Sequence, residues 1–92
     1  MIRSFRHRGL RRLFEQGDRS RIGAEQLAKV QRVLARLDAL RAIDEMDLPG
    51  FRLHALHGDL AGFWSISITG NWRIVFRFEG GDVFEVDYLD YR

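Results

Sequence analysis

The fold is decided by residues 63–88, which read Phe63-Trp-Ser-Ile-Ser-Ile-Thr-Gly-Asn-Trp-Arg-Ile-Val-Phe-Arg-Phe-Glu-Gly-Gly-Asp-Val-Phe-Glu-Val-Asp-Tyr88. Aromatic and β-branched side chains alternate with polar ones, and glycines interrupt the alternation twice. This pattern is typical of consecutive antiparallel strands joined by tight turns. It predicts strands over Phe63 to Thr69, Trp72 to Glu79 and Val83 to Tyr88.

The length of the second turn determines which side chains face each other. A two-residue turn at Gly80-Gly81 would place Phe78 opposite Val83, and the apolar faces read from the even-numbered positions would then point in opposite directions. A three-residue turn that includes Asp82 pairs Phe78 with Phe84 and keeps one buried face. We therefore predict the three-residue turn.

The predicted register has consequences further along the last two strands. It sets Arg77 opposite Glu85, which predicts a cross-strand ion pair. The same reasoning predicts a three-residue turn at Thr69-Gly70-Asn71. At the far end of the hairpin, Asp90 is expected opposite Trp72, so residues distant in sequence become neighbours.

The residues before this stretch predict two helices and two further strands. Ile2 to His7 alternates weakly and is predicted as a short strand that joins the sheet, and Phe51 to Leu56 as another strand. Helical spacing of apolar residues predicts helices from Arg8 to Gln16 and from about Ala24 to Leu40. The predicted class is α+β, with two N-terminal helices packed on an antiparallel sheet in a single domain of residues 1–92.

Composition bounds the kind of protein. The chain has 92 residues, of which 46% are hydrophobic, one proline and no cysteine. A hydrophobic core is therefore feasible, whereas disulfides and thiolate metal sites are excluded. The first residues lack the apolar core of a signal peptide, and no stretch reaches the roughly 20 apolar residues of a membrane span. We expect a cytoplasmic protein with no membrane association.

Charge is distributed unevenly along the chain. Residues 1–41 contain 11 of the 15 Lys and Arg residues and 4 of the 13 Asp and Glu residues, whereas the remainder is acidic. All but one of these cations are arginine, whose planar guanidinium suits phosphate. The helical half is a candidate anion-binding surface, although solvated helix faces would give the same composition.

Two histidines and one arginine are the candidates for chemistry on RNA. His54 and His57 lie at the end of a predicted strand, and imidazole transfers protons near neutral pH. Arg73 lacks a predicted carboxylate partner, since Leu89 is its expected cross-strand neighbour, which favours a phosphate-binding role. The three histidines of the chain have no spacing typical of a zinc site, and no cofactor is expected.

Several segments of the chain resemble the HigB branch of the RelE/ParE toxin superfamily, and the resemblance covers essentially the whole sequence. They are Met1-Ile-Arg-Ser-Phe-Arg-His-Arg-Gly-Leu10, Leu13-Phe-Glu-Gln-Gly17, Leu48-Pro-Gly-Phe-Arg-Leu-His-Ala-Leu-His-Gly-Asp59, Ala61-Gly-Phe-Trp-Ser-Ile-Ser-Ile68, Asn71-Trp-Arg-Ile-Val-Phe76 and Asp87-Tyr-Leu-Asp-Tyr91.

The resemblance implies a toxin of a type II toxin–antitoxin system. Such a toxin is an mRNA interferase, a ribosome-dependent endoribonuclease that enters the ribosomal A site, cleaves mRNA by metal-independent attack of the 2′-hydroxyl and arrests growth by inhibiting translation. The resemblance also implies a HigA-like helix-turn-helix antitoxin, through which alone the toxin would meet operator DNA.

The resemblance assigns roles to individual residues of this sequence. His54, Asp90 and Tyr91 match positions implicated in catalysis, and Arg73 matches a cation that steadies the phosphate. His57 and Arg92 depart from the family, since relatives usually carry Lys and His there, and both are expected to bind RNA. Because arginine stays charged, Arg92 cannot act as a general acid, so we expect cleavage to persist at a reduced rate.

Two alternatives remain open. A ParE-like inhibitor of DNA gyrase would share the fold but would not need the proton-transfer residues. A catalytically weak RNA-binding homologue would keep the fold and the antitoxin, and Arg92 favours this reading.

Overall fold

The computed structural model describes residues 1–91, and its first regular element is helix α1 (Arg8–Gln16). His7 caps the helix, because its Nδ1 accepts a hydrogen bond from the backbone N–H of Leu10 at 3.1 Å. Gly17, with φ of 71°, ends it in the left-handed conformation that favours glycine. The helix therefore has the predicted bounds.

Helix α2 (Ala24–Asp38) provides the largest apolar face of the helical layer. Its buried side chains recur at helical spacing, as predicted: Val30, Val33, Leu34 and Leu37. The helix is two residues shorter than expected, because the backbone N–H groups of Ala39 and Leu40 bond three residues back rather than four.

Four antiparallel strands form one sheet in the order β1-β2-β3-β4. They are β1 (His54–Ala55), β2 (Phe63–Ser67), β3 (Trp72–Glu79) and β4 (Asp82–Asp90). Short 3₁₀ turns lie at Ile43–Met46 and Gly58–Leu60. The sheet has an inner face that packs on the helices and an outer face away from them.

Strand β1 is shorter than the predicted strand from Phe51 to Leu56. Gly50 and Arg52 have φ of 83° and 50°, so the chain cannot stay extended there. Two backbone hydrogen bonds still flank the strand on the β2 side, from Ser67 to Phe51 at 2.7 Å and from Leu56 to Phe63 at 2.9 Å.

The β2–β3 turn has the predicted three residues. Ser67 pairs with Arg73, and the N–H of Trp72 donates to the carbonyl of Thr69 at 2.9 Å.

The turn between β3 and β4 differs from the prediction. It contains only Gly80 and Gly81, so Phe78 lies opposite Val83, and Arg77 lies opposite Phe84. The predicted three-residue turn is therefore wrong, as is the predicted pairing of Phe78 with Phe84.

A β-bulge further along β4 restores the predicted register. The ladder shifts so that Glu85 and Val86 together oppose Phe76, and Glu85 has φ of 55°. The extra residue changes the side-chain parity of β4, which keeps Val86 on the inner face despite the short turn. Beyond the bulge, Trp72 pairs with Asp90 as predicted.

Residues 1–7 run alongside β4 in the parallel direction and form isolated bridges rather than a full strand. Only Ile2 and Phe5 form bridges, to Val83 and Val86. The segment nevertheless joins the sheet, as expected, through hydrogen bonds such as that from Arg6 N–H to the Val86 carbonyl at 2.8 Å.

One hydrophobic core fills the space between the helices and the inner face of the sheet. Its completely buried side chains come from both layers: Leu10, Val30, Val33, Leu37, Met46, Ile66, Ile74, Phe76, Val83 and Val86. No helix within residues 1–91 is long and apolar enough to cross a bilayer. This arrangement of two helices on an antiparallel sheet confirms the predicted fold class.

Candidate functional site

His54 lies on the exposed edge strand of the sheet. It pairs with Ser65, which pairs with Val75, so all three side chains point to the outer face. Arg73 is the next residue of β3 on that face. From the usual strand spacing and rise, the Cα atoms of His54 and Arg73 are about 12 Å apart. Both side chains can therefore reach a ligand that lies between them.

Arg73 is oriented by backbone carbonyls and not by a carboxylate. Its Nη1 donates to the carbonyl of Gly70 at 2.8 Å and to that of Trp72 at 3.0 Å. Within residues 1–91, no carboxylate lies at ion-pair distance from Arg73. Nε and Nη2 are thus available to an anionic ligand.

Arg73 is one of three arginines whose positive charges act on Lys29, and we call the four residues Lys29, Arg32, Arg52 and Arg73 the open cationic cluster. The pKa of Lys29 is lowered, first by burial and then by the positive charges of Arg32, Arg52 and Arg73. None of the four forms an ion pair with a carboxylate in the described part of the chain. Clustered cations without counter-ions are an anion-binding surface.

The opposite end of the outer face is electrically balanced. Arg77 donates to Glu85 at 3.2 Å and also pairs with Glu79, and Arg6 donates to Glu85 at 2.9 Å. We call these four residues the paired cluster. The predicted ion pair of Arg77 and Glu85 is present, although the bulge and not direct opposition brings them together. The hydrogen bonds from Arg6 and Arg77 hold the pKa of Glu85 below its usual value.

Asp90 lies on the inner face at the end of the sheet, because it is directly opposite Trp72. The Trp72 ring stacks on Tyr88, with centroids 4.6 Å apart, and burial raises the pKa of Tyr88 to about 12. An open cleft of about 560 Å³ adjoins Asp90 and Trp72. Its other lining residues are Glu25, Gln26, Thr69, Gly70 and Asn71.

Tyr91 continues along the β2–β3 turn, where its N–H donates to the carbonyl of Asn71 at 2.8 Å. Its side chain is 42% exposed and is free to stack on a nucleotide base. Arg92, the predicted RNA-binding residue at the end of the sequence, lies outside the described residues.

A sequence model of the "RelE-like toxin of type II toxin-antitoxin system HigB" matches residues 3–92. The chain is also 41% identical to the "Endoribonuclease HigB" of Proteus vulgaris over 91 residues, which cover 99% of each protein. The chain belongs to the HigB family of RelE-like toxins. This membership confirms the resemblance read from the sequence.

Solved structures agree with the fold of this HigB-family chain. The "YoeB-YefM complex from Staphylococcus aureus" superposes with a TM-score of 0.63 at 14% identity, covering 100% of this chain and 95% of the other. The "YoeB/ParE toxin from Agrobacterium tumefaciens" gives 0.55 at 24% identity, covering 78% and 80%.

The site residues fall into two groups in this HigB-family toxin. His54 and Arg73 share the outer face, whereas Asp90 lies on the inner face, next to the cleft. His57 is exposed and precedes the 3₁₀ turn at Gly58–Leu60. Residues 1–91 contain no group of three or more His, Asp or Glu side chains placed to hold a metal ion.

The sequence pattern does not identify Lys29 and Arg32 as members of the open cationic cluster. Both lie on α2, one turn apart, and the helical pattern assigns them only to a polar face. The composition holds a signal, because Lys29 is the single lysine among 15 cations.

Proposed function

We propose that this toxin is an mRNA interferase, which cleaves mRNA on the translating ribosome by metal-independent attack of a ribose 2′-hydroxyl on the adjacent phosphate. The enzyme class predicted from the sequence, an endoribonuclease, is confirmed by the full-length likeness to a HigB endoribonuclease. The substrate and the mechanism are our inference. One observation carries them: an exposed imidazole, His54, shares a sheet face with Arg73 of the open cationic cluster.

The chemistry is a proton transfer assisted by positive charge. A base takes the proton of the 2′-hydroxyl, the oxygen attacks phosphorus, and the P–O5′ bond breaks. The products are a 2′,3′-cyclic phosphate and a 5′-hydroxyl, whose oxygen receives a proton. Imidazole can serve as the base or as the acid near neutral pH. The free N–H groups of Arg73 stabilise the negative charge that develops on the phosphate.

The remaining predicted residues act around this centre in our proposal. Asp90 orients the nucleotide or serves as the base from the end of the sheet, and Tyr91 stacks on a base. His57 and Arg92 add contacts to the RNA. Because Asp90 and Arg73 belong to different faces of the sheet, the RNA strand passes over the sheet end, where β4 meets the β2–β3 turn.

A HigA-like antitoxin and the ribosomal A site are the proposed partners, in the cytoplasm. Membership of the toxin–antitoxin family supports an antitoxin partner. The arginine-rich helical half suits ribosomal RNA, and binding that depends on phosphate contacts weakens steeply with salt.

The decisive experiment is cleavage of mRNA on programmed ribosomes by single-site variants. His54→Ala is expected to lower the rate by about 10² to 10⁴, the range for a lost general acid or base, and Asp90→Asn is expected to lower it as well. His57→Ala is the matched histidine control and should mainly weaken binding. A 2′-deoxy nucleotide at the cleavage position should abolish the reaction.

Wild-type rates for both His54→Ala and Asp90→Asn would refute the assignment of the site. Cleavage of the 2′-deoxy substrate would refute the chemistry. If expression instead induced the DNA-damage response while transcripts stayed intact, a gyrase target would replace RNA.

A further inference from the structure

Lys29 ties helix α2 to two separate loops. Its Nζ donates to the carbonyl of Gly50 at 2.8 Å and to the carbonyl of Ile68 at 3.0 Å. The same Nζ lies 5.6 Å from the centre of the Phe51 ring. Two of the three ammonium hydrogens are therefore used within the protein, and a direct bond to RNA is not the main role of this residue.

Each carbonyl bound by Lys29 lies close to an arginine of the open cationic cluster. Gly50 is two residues before Arg52. Ile68 is two residues before Gly70, whose own carbonyl accepts the Nη1 bond of Arg73 at 2.8 Å. One ammonium group thus binds the backbone two residues before Arg52 and two residues before Gly70, whose carbonyl orients Arg73.

Arg52 needs such support, because its φ of 50° is unfavourable for a residue with a side chain. The backbone just before it is held from two directions. Ser67 N–H donates to the Phe51 carbonyl at 2.7 Å, and Lys29 donates to the Gly50 carbonyl. Without Lys29 one of the two restraints on this conformation is lost.

We propose that Lys29 is a positioning residue, which holds Arg52 and Arg73 in the arrangement that receives the phosphate of the RNA. This inference rests on the proposed function and adds to it a residue that acts through two others. If Lys29 were only one more surface charge, its removal would leave the contacts of Arg52 and Arg73 with the RNA unchanged. As a positioning residue, its removal should weaken both.

The test is single-turnover cleavage of mRNA on programmed ribosomes, with the toxin titrated. Lys29→Met keeps the apolar stem but removes the donors. It is expected to raise the half-saturating toxin concentration by about tenfold or more, because two cation–phosphate contacts weaken. The rate at saturation should fall as well, because Arg73 stabilises the charge that develops on the phosphate, but by less than in Arg73→Met, since Arg73 itself is still present. Lys29→Arg, which keeps the charge and the donors, should restore most of the affinity.

The dependence on salt separates positioning from simple charge loss. Loss of one phosphate contact changes the slope of log affinity against log salt by about 0.7 for single-stranded nucleic acid. Lys29→Met should change it by about twice that amount or more, since Arg52 and Arg73 are both released. Arg77→Met, an arginine of the sheet whose charge is neutralised by Glu79 and Glu85, is the matched control and should leave the slope unchanged.

A double-mutant cycle completes the test. In an Arg52→Met, Arg73→Met background, Lys29→Met should raise the half-saturating concentration by less than about twofold, because the groups it positions are gone. An increase of about tenfold in the half-saturating concentration in that background would overturn the inference. A change of only about 0.7 in the salt slope of Lys29→Met would overturn it as well.

Two further results are informative. Circular dichroism checks that each variant folds. If Lys29→Met does not fold, Lys29→Gln replaces it. Its donor is shorter, so the half-saturating concentration and the salt slope should change in the same direction but by less. An inactive wild-type protein would count against the proposed function, whereas an active wild type with unchanged Lys29 variants would count against Lys29 alone.

Discussion

Arg73 and Arg77 lie on the same strand and the same face of the sheet, with Val75 between them, yet their surroundings are opposite. Arg77 is bound by Glu79 and Glu85 and also stacks over the Phe84 ring at 4.7 Å. Among residues 1–91, Arg73 is bound by carbonyl groups only. Carboxylates neutralise an arginine, whereas carbonyls orient it and leave its charge available.

The difference shows that arginines on one sheet face can be neutralised at one end and left with unbalanced charge at the other. The paired cluster fastens residues 1–7 and the bulge to the sheet. The open cationic cluster has four positive charges whose only nearby partners in residues 1–91 are neutral. Unbalanced charge is unfavourable to the fold by itself, so its presence points to a ligand.

The largest expected effect contrasts the two arginines directly. Arg73→Met should lower mRNA cleavage by about 10² to 10³, as the loss of one stabilising donor at a reacting oxyanion does. Arg77→Met should change cleavage by less than about threefold, since its charge is already neutralised. Single-turnover rates on programmed ribosomes measure both. Equal losses in the two variants would remove the distinction between the clusters.

A second experiment converts the open cluster into a paired one. Ser67 is the cross-strand neighbour of Arg73 on β2, so Ser67→Glu places a carboxylate beside the guanidinium. The half-saturating toxin concentration should rise by about tenfold, because the carboxylate competes with the phosphate and repels it. Ser67→Gln has the same shape without the charge and serves as the control. Equal effects of the two substitutions would show that bulk, not charge, matters there.

The third and smallest effect on activity concerns the paired cluster. Glu85→Gln removes the carboxylate that Arg6 and Arg77 share, and cleavage should stay within about threefold of the wild type. Stability should fall at neutral pH. Because the pKa of Glu85 is lowered in the folded state, its contribution is present above the usual glutamate pKa and is lost as the pH falls through the lowered value.

The pH dependence makes this third experiment specific. Urea midpoints of the wild type and of Glu85→Gln should differ at neutral pH and converge as the pH falls through the lowered pKa of Glu85, where the carboxyl becomes protonated. Glu79→Gln, which removes a carboxylate that pairs with Arg77 alone, should give a smaller difference. If the urea midpoints of the wild type and Glu85→Gln still differed in acid, the backbone of the bulge, and not the ion pairs, would explain the loss of stability.

The sequence predicts the layers of the fold but not the detail of its last hairpin. Helical spacing of apolar residues predicts both helices, and strand alternation with the glycine positions predicts the β2–β3 turn. The pairing of Trp72 with Asp90 is also predicted correctly, because the bulge compensates for the shorter last turn. A two-residue turn at Gly80-Gly81 opposes the apolar faces unless the side-chain parity of β4 changes. One left-handed residue resets that parity, and nothing about a glutamate at position 85 signals such a conformation. Its stabilising partners come from the other end of the chain, as Ser4 and Arg6 show.

The candidate site is likewise only partly encoded in local patterns. His54 and Arg73 are visible because their strand positions give them one face. The role of Lys29 is not, since its two carbonyl partners lie 21 and 39 residues further along the chain. Helical periodicity tells which face of α2 is polar, but only the tertiary fold tells which polar side chain reaches two loops.

The parallel docking of the N-terminal segment on β4 has a consequence for biosynthesis. Ile2 and Phe5 pair with Val83 and Val86, so residues that are synthesised early must wait for partners synthesised about 80 residues later. In a nascent chain that contains only the helices and β1 to β3, the N-terminal segment has no β4 to pair with. The bulge and the strand end at Asp90 have not yet formed. The catalytic surface is therefore expected to assemble late in synthesis, and the long closure should make folding slow for a domain of this size.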